Sequence, residues 1–454
     1  LSDNGGWSSG GFLADVKVKG RVGLGTQQQW FFRNVDVSSA GMDCPIGWNY
    51  VFLGVEGVDS TACKGDLPGK VTVVDKTPRI AEKPYVVQED DEAGTWRIYV
   101  PWLVDGGTRG ATQDYAAAVA RKLDIEEEVF VAQPSDSVEK INEGIRGKRG
   151  LLLTPGVYKM DKSIVIDQDG FVVLGLGFPT LVATGGEPAI LVDGKAEDVR
   201  VAGLLVEAGT PKSSGHHPLA LLMVGQRGKS GKSPPGRAPT VLSDVFARVG
   251  AFQYLECQEV STQNMLEINT DDVVIDNAWL WHADHDNCGR KSDDCHSEHA
   301  LVVSGDRVRA YGLAAEHTVG GDIVQWYGEG GETYFYQCEL PYHTPAFGPA
   351  GYAGYAVAPS VKDHVAYGLG VYIIGTNMQA QSAYLGSPTT EFHNLNTVVI
   401  GGNQNQFKHL ECALGAGDGA NDLVCDKPDH CDDMRCVVLA KAPASPKEPP
   451  VPPP

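Results

Sequence analysis

Positive charge is scarce in this chain. Lys and Arg number 37 against 58 Asp and Glu, leaving a formal net charge of −21. So acidic a balance excludes nucleic acid and anionic membrane surfaces as partners, because both repel it. No apolar run approaches the ~18–20 residues that span a bilayer, so no membrane insertion is expected. No Asn-x-Ser/Thr sequence occurs, which removes N-glycosylation. Residues 226–239 contain Gly-Lys-Ser twice within a basic Gly/Pro/Ser-rich stretch. The spacing of a phosphate loop after a strand is missing, and the stretch reads as a solvated loop. The chain opens at Leu1 with neither Met nor a signal peptide, and a mature or truncated form is expected.

What is present is repetition. Ala278-Trp-Leu-Trp-His-Ala-Asp284-His285 aligns without gaps with Ala310-Tyr-Gly-Leu-Ala-Ala-Glu316-His317. Both align with Thr333-Tyr-Phe-Tyr-Gln-Cys-Glu339-Leu340. Gly203-Leu-Leu-Val-Glu207 matches Gly312-Leu-Ala-Ala-Glu316. Self-similarity at a spacing of about 20–35 residues marks a solenoid. The unit is a short β-rich run closed by Gly, Asp or Asn, which predicts an all-β fold, a right-handed parallel β-helix. Successive turns pair as parallel strands roughly 4.8 Å apart. The alignment therefore predicts a column of carboxylates, Asp284, Glu316 and Glu339, with Tyr372 one place further on. Like charges so close raise the proton affinity of the middle one, Glu316. A proton-holding acid opposite a second carboxylate is what glycoside hydrolysis needs. A solvated acidic ladder and a cation site remain the other readings of the same column. Trp281, His285, His317, Trp326, Tyr342 and Tyr372 are the candidate sugar contacts. Tyr342, His343, Phe347, Tyr352 and Tyr355 form a Tyr/Gly/Pro-rich stretch whose rings either wall a groove or pack on the solenoid.

Ten cysteines point to disulfides and an oxidising, extracellular setting. Cys44 and Cys63 bracket one insertion, Cys288 and Cys295 another, and Cys412, Cys425, Cys431 and Cys436 crowd the C-terminal end. Cys257 and Cys338 are left over. Cys288, Cys295, His296 and His299 lie close together, but not at a usual zinc spacing, so no metal and no cofactor is expected.

Residues 1–60 read as coils of a first, incomplete β-helix, and 61–135 as a connector. In the connector, Trp96–Trp102 is expected to be an edge strand, and Ala116-Ala-Ala-Val-Ala-Arg-Lys-Leu one helix. Ser135 to Ser137 cap the amphipathic segment Val138–Ile145, which opens the main β-helix over 136–411. Residues 412–442 read as a Cys-rich cap and 443–454 as a polyproline II tail.

The string GGFLADVKVKGRVGLGTQQQWFFRNVDV in the first coils resembles the closing coils of the first β-helix in glycoside hydrolase family 55, the exo-β-1,3-glucanases. It is similar also to secreted bacterial proteins with comparable double β-helices and no settled activity. The resemblance implies two β-helices side by side and a β-glucan substrate. It maps no catalytic residue here, and Glu316 is chosen from the column. The tail resembles hydroxyproline-rich, O-glycosylated segments of plant and green-algal wall proteins, which makes Ser445, Pro449, Pro450, Pro452 and Pro453 candidate glycosylation sites.

Two functions of different class follow. One is a secreted glycoside hydrolase on extracellular β-glucan-like polysaccharide, with Glu316 as acid and Asp284 or Glu339 as base. The other is a non-catalytic subunit of an extracellular fibre or wall layer, glycosylated on its tail and self-associating head to tail through an uncovered coil end. A polysaccharide lyase is a third, but it wants a basic residue in the groove, and the column offers only His285 and His317.

Overall fold

Short runs rich in Val, Ile, Phe and Tyr pair in parallel, one above the next, in two separate stacks. These strands belong to a computed structural model that describes the chain apart from residues 1–8, 26, 40, 44–46, 59–69, 93, 116, 211–216, 229–234, 251–258, 285–294, 343, 415–422, 427–429, 432–434 and 439–454. At residue 404 and from 411 on, the backbone alone is described.

The first stack is a four-stranded parallel sheet of Gly11–Ala14, Gln29–Arg33, Asn49–Leu53 and Val71–Val74. Its two middle strands are buried along their whole length because both sides are covered. Trp30, Phe32, Tyr50 and Phe52 fill the inside of the stack, while Phe31, Val51 and Leu53 point the other way, onto the second stack. The strand at Val71–Val74 corrects the expectation that a connector begins at residue 61.

Two further expectations for the connector fail. Trp96–Pro101 is the central strand, not the edge, of an antiparallel sheet between Tyr85–Gln88 and Val119–Asp124. The Ala-rich segment expected as a helix contributes that last strand. Leu123 packs there against Ile98 and Val100, and this burial overrides alanine's helical preference. A helix does form at Val138–Gly144. The Ser137 hydroxyl accepts from the Lys140 N–H at 3.2 Å, and Val138 and Ile141 are buried.

The second stack is a parallel β-helix built on a 14-stranded and a 10-stranded sheet, with one core between them running from Ala132 to Leu410. Near its C-terminal end Leu423–Asp426 and Arg435–Val438 add antiparallel strands to the two sheets. The proline-rich tail lies outside the described residues.

The long strands of the larger sheet bend at one place. Gly203, Asp244, Asn277, Gly312, Phe335, Gly368 and Asn394 occupy successive rungs in register, and all have positive φ, between 50° and 69°. Gly, Asn and Asp tolerate that backbone and Phe does not. Phe335 is held there by stacking on Phe31 of the first stack, ring centroids 5.7 Å apart. Before the bend Val241, Val274, Tyr311 and Tyr334 pack on the first stack. After it, the strands carry the candidate site.

Candidate functional site

Beyond the bend, the register sets Glu207 opposite Arg248, Arg248 opposite Trp281, and Trp281 opposite Glu316. Ala314 stands opposite Gln337, the His317 N–H donates to the Glu339 carbonyl at 3.0 Å, and Glu339 stands opposite Tyr372. Glu316, Glu339 and Tyr372 are thus stacked as the repeat predicts, and Glu207 belongs to the same column. Asp284 does not. Its alignment is corrected by three positions, because Leu313, not Ala310, lies opposite Ala278. Asp284 reaches the site instead from the turn after strand Val273–His282.

The site it reaches is organised on His317. This residue has φ of +64°, which turns its ring out of the strand path and between two carboxylates. Nδ1 lies 3.9 Å from Asp284 Oδ1, and Nε2 lies 3.5 Å from Glu339 Oε2. Burial works against a charged imidazole here. The carboxylates of Glu339, Glu316 and Asp284 outweigh it and raise the proton affinity of His317. The Tyr342 hydroxyl donates to Glu339 Oε2, and its ring meets the His317 ring edge-on at 4.5 Å.

Glu316 is buried, and burial is the main reason its carboxyl is raised above the ordinary range. The nearby Glu339 charge adds to the effect, while His317 and hydrogen bonds from Trp279 and Gln337 oppose it. Like-charge repulsion, the cause expected from the column, is therefore the lesser part. Trp279 Nε1–H donates to Glu316 Oε2 at 2.8 Å, and the exposed Trp279 ring stacks on Trp281 at 5.5 Å. The column reading passed over Trp279. Its signal was the alternation Trp279-Leu-Trp281, which puts both indoles on the outer face. A cavity of about 140 Å³ opens beside Trp279 between the stacks, walled by Phe12, Gln29 and Phe31 from the first and Gly312, Phe335 and Gln337 from the second.

Other candidates fall elsewhere. Trp326 is fully buried in the core against Tyr355 and His364 and cannot platform a sugar. Phe347 and Tyr355 are likewise core residues, so of the two readings of that stretch they take the one that packs on the solenoid. Tyr372 stands in the column but is 1% exposed, packed edge-on against Trp48 of the first stack at 5.7 Å. His285, His343 and Cys288 lie outside the described residues, as do Cys44, Cys63 and the tail positions. Cys295 is buried. The column also holds a cation that the alignment had not placed there, Arg248, whose charge is matched by Glu207 at 2.8 Å. Among the described residues no cluster could hold a metal ion.

Comparison with known proteins agrees with this architecture. Residues 129–339 match a model of the LAM55 pectate lyase-like domain. An exo-beta-1,3-glucanase of Streptomyces sp. (strain SirexAA-E / ActE) is 34% identical over 424 residues, 91% of this chain, and the chain spans 66% of that protein's length. The structure of sacteLam55A from Streptomyces sp. SirexAA-E superposes with a TM-score of 0.80 at 30% identity, covering 96% of this chain and 74% of that one. A glutamate-to-alanine variant of sacteLam55A in complex with glucose superposes equally well, covering 75% of that chain. With the paired stacks, the matched domain and this level of identity in hand, the chain belongs to the glycoside hydrolase family 55-like β-helix proteins.

Proposed function

We propose that the chain is a glycoside hydrolase acting on a β-glucan, with Glu316 as general acid. Glu339, or Asp284 across His317, is the base that activates water. The reading is supported by the 34% identity to an exo-beta-1,3-glucanase and by a relative whose glutamate variant was solved with glucose. The observation that carries it is the contrast within one site. Glu316 is buried, and burial raises its proton affinity, while one rung away Glu339, with Asp284 beyond the ring, lies open to solvent. Their side chains are 20% and 17% exposed, so water can reach them. The Trp279 indole donates to one oxygen of Glu316, and Gln337 is the second hydrogen-bond donor to this carboxyl. The stacked indoles of Trp279 and Trp281 offer a ring face to a sugar beside that carboxyl.

A base that works through water predicts inversion at the anomeric carbon. Removing the acid by Glu316→Gln should lower laminarin hydrolysis by about 10²–10⁴-fold with the melting temperature kept. Hydrolysis at the parental rate would end this assignment. An extracellular location goes with a polymeric substrate and with the cysteines that crowd the C-terminal end, and forms part of the same proposal.

A further inference from the structure

We propose that the outer face of the ten-stranded sheet carries a second binding groove, for a neutral polysaccharide chain, separated by the core from the Glu316 cleft. Glu267, Val302, Gln325, Ala356 and Leu385 stand on successive rungs in one column. At the spacing of parallel strands this column is about 19 Å long. Two cavities of about 400 and 670 Å³ lie end to end along it and share Tyr327 at their junction. These are sizes that hold ligands.

The first cavity has a built polar wall. Glu267 is 1% exposed. It accepts from Arg227 Nε at 2.6 Å, from Asn264 Nδ2 at 2.7 Å and from Asn269 Nδ2 at 2.8 Å. Asn264, on the cavity wall and 2% exposed, is thereby fixed with its amide nitrogen spent on Glu267. Its Oδ1 is buried without a hydrogen-bond partner among the described residues. A buried orphan acceptor beside a cavity calls for a donor from outside, and a sugar hydroxyl supplies one. Tyr327, 54% exposed, stands at the junction. The second cavity has a mostly apolar wall in which Gln381, Ser382 and His409 are the neutral polar groups, with Asp322 and Lys408 as one charge of each sign. The charge of Arg227 is committed to Glu267, so the first cavity recognises by amides, hydroxyls and an aromatic face. That chemistry suits a neutral hexose polymer better than an anionic one. The inference borrows from the β-glucan reading only the choice of first probe.

Retention of the whole chain in native gels cast with laminarin, xylan or dextran tests it. Tyr327→Ala and Gln381→Ala alter exposed side chains outside the Glu316 cleft and should fold. Each is expected to weaken retention, with an apparent Kd raised about fivefold for Tyr327→Ala, in at least one of the three gels. Parental retention of both variants in every gel would overturn the proposal, as would a parent that none of the three retains. Weakened retention in a chain that hydrolyses nothing would leave the groove standing and remove the hydrolase reading.

Discussion

Arg33 of the first stack and Asp276 of the second face each other across the interface as a bidentate pair. Nε lies 2.9 Å from Oδ1, and Nη2 lies 2.9 Å from Oδ2. Glu82 completes the fork from the other side, at 2.6 and 2.8 Å. Burial opposes the Arg33 charge, and the two carboxylates outweigh it. A buried charge left without its partner is costly, so Arg33→Met should destabilise the chain by about 3–5 kcal/mol in urea melts. Adding Asp276→Leu should recover much of that loss. If Arg33→Met alone were neutral, the fork would contribute nothing to holding the stacks together.

The bend column yields a second expectation. A Cβ on Gly312, φ +67°, would lie 2.6 Å from Phe12 and 3.0 Å from Phe31, both on the first stack. Gly330, φ +61°, has only Arg307 nearby, at 3.7 Å. Both alanine variants carry left-handed backbone strain, of order 1–2 kcal/mol. Gly312→Ala alone adds the clash, and should be the less stable by a further ~1 kcal/mol or more in thermal melts. Equal losses would mean that the first stack yields freely at this point.

How much of this could be read from the residues depended on rung length. Glu316, Glu339 and Tyr372 aligned correctly because each stands four residues after its bend residue, Gly312, Phe335 and Gly368. Asp284 lies seven residues after its bend residue Asn277 instead of four, so matching it to the two glutamates misplaced it by three positions. Asp284 still arrives at His317, but from a turn, and no periodicity encodes that. Trp326 was misassigned because a tryptophan near a Gly-rich turn reads alike whether it faces the core or the cleft. The Ala-rich segment ending at Leu123 shows the limit of propensity, since its neighbour strand decided its conformation. The Arg33 fork joins residues 243 positions apart, and no local pattern announces such a contact.

Glu316 and His317 set the pH dependence. As the proposed general acid Glu316 donates a proton, so the rate should fall as pH rises through its raised value. The His317 charge pulls that value down. His317→Asn removes the charge and keeps a residue that tolerates φ of +64°. The proton affinity of Glu316 then rises further, and the alkaline limb of kcat moves to higher pH. Trp279→Phe, which removes a hydrogen bond to the carboxylate, should move it the same way. Stability follows the opposite group. His317 binds its proton more tightly folded than unfolded, so its contribution is complete below pH 6.5 and is lost as pH rises through the folded value. The gap in melting temperature between the parent and His317→Asn should therefore be widest in acid and close in base. An alkaline limb that neither variant moves would take Glu316 out of the rate-determining proton transfer.

The C-terminal cysteines make the last expectation. Backbone register sets Cys412 directly opposite Cys425 and Cys431 directly opposite Cys436 in antiparallel pairs. Opposed residues in such ladders have Cα atoms about 4.5–5.5 Å apart, inside the 4.4–6.8 Å window of a disulfide. Non-reducing peptide maps should therefore show Cys412–Cys425 and Cys431–Cys436 linkages. Cys338, fully buried and a free thiol, should react with a thiol reagent only after unfolding. Replacing Cys412 and Cys425 together by Ala opens a short loop and should cost about 3 kcal/mol. Because both bridges fasten strands that extend the two sheets at one end, reduction should loosen that end first. Hydrogen exchange in Phe407–Leu414 should rise on reduction while Arg309–Glu316 stays protected. A Cys412–Cys431 linkage in the map would show that the strand register here is wrong.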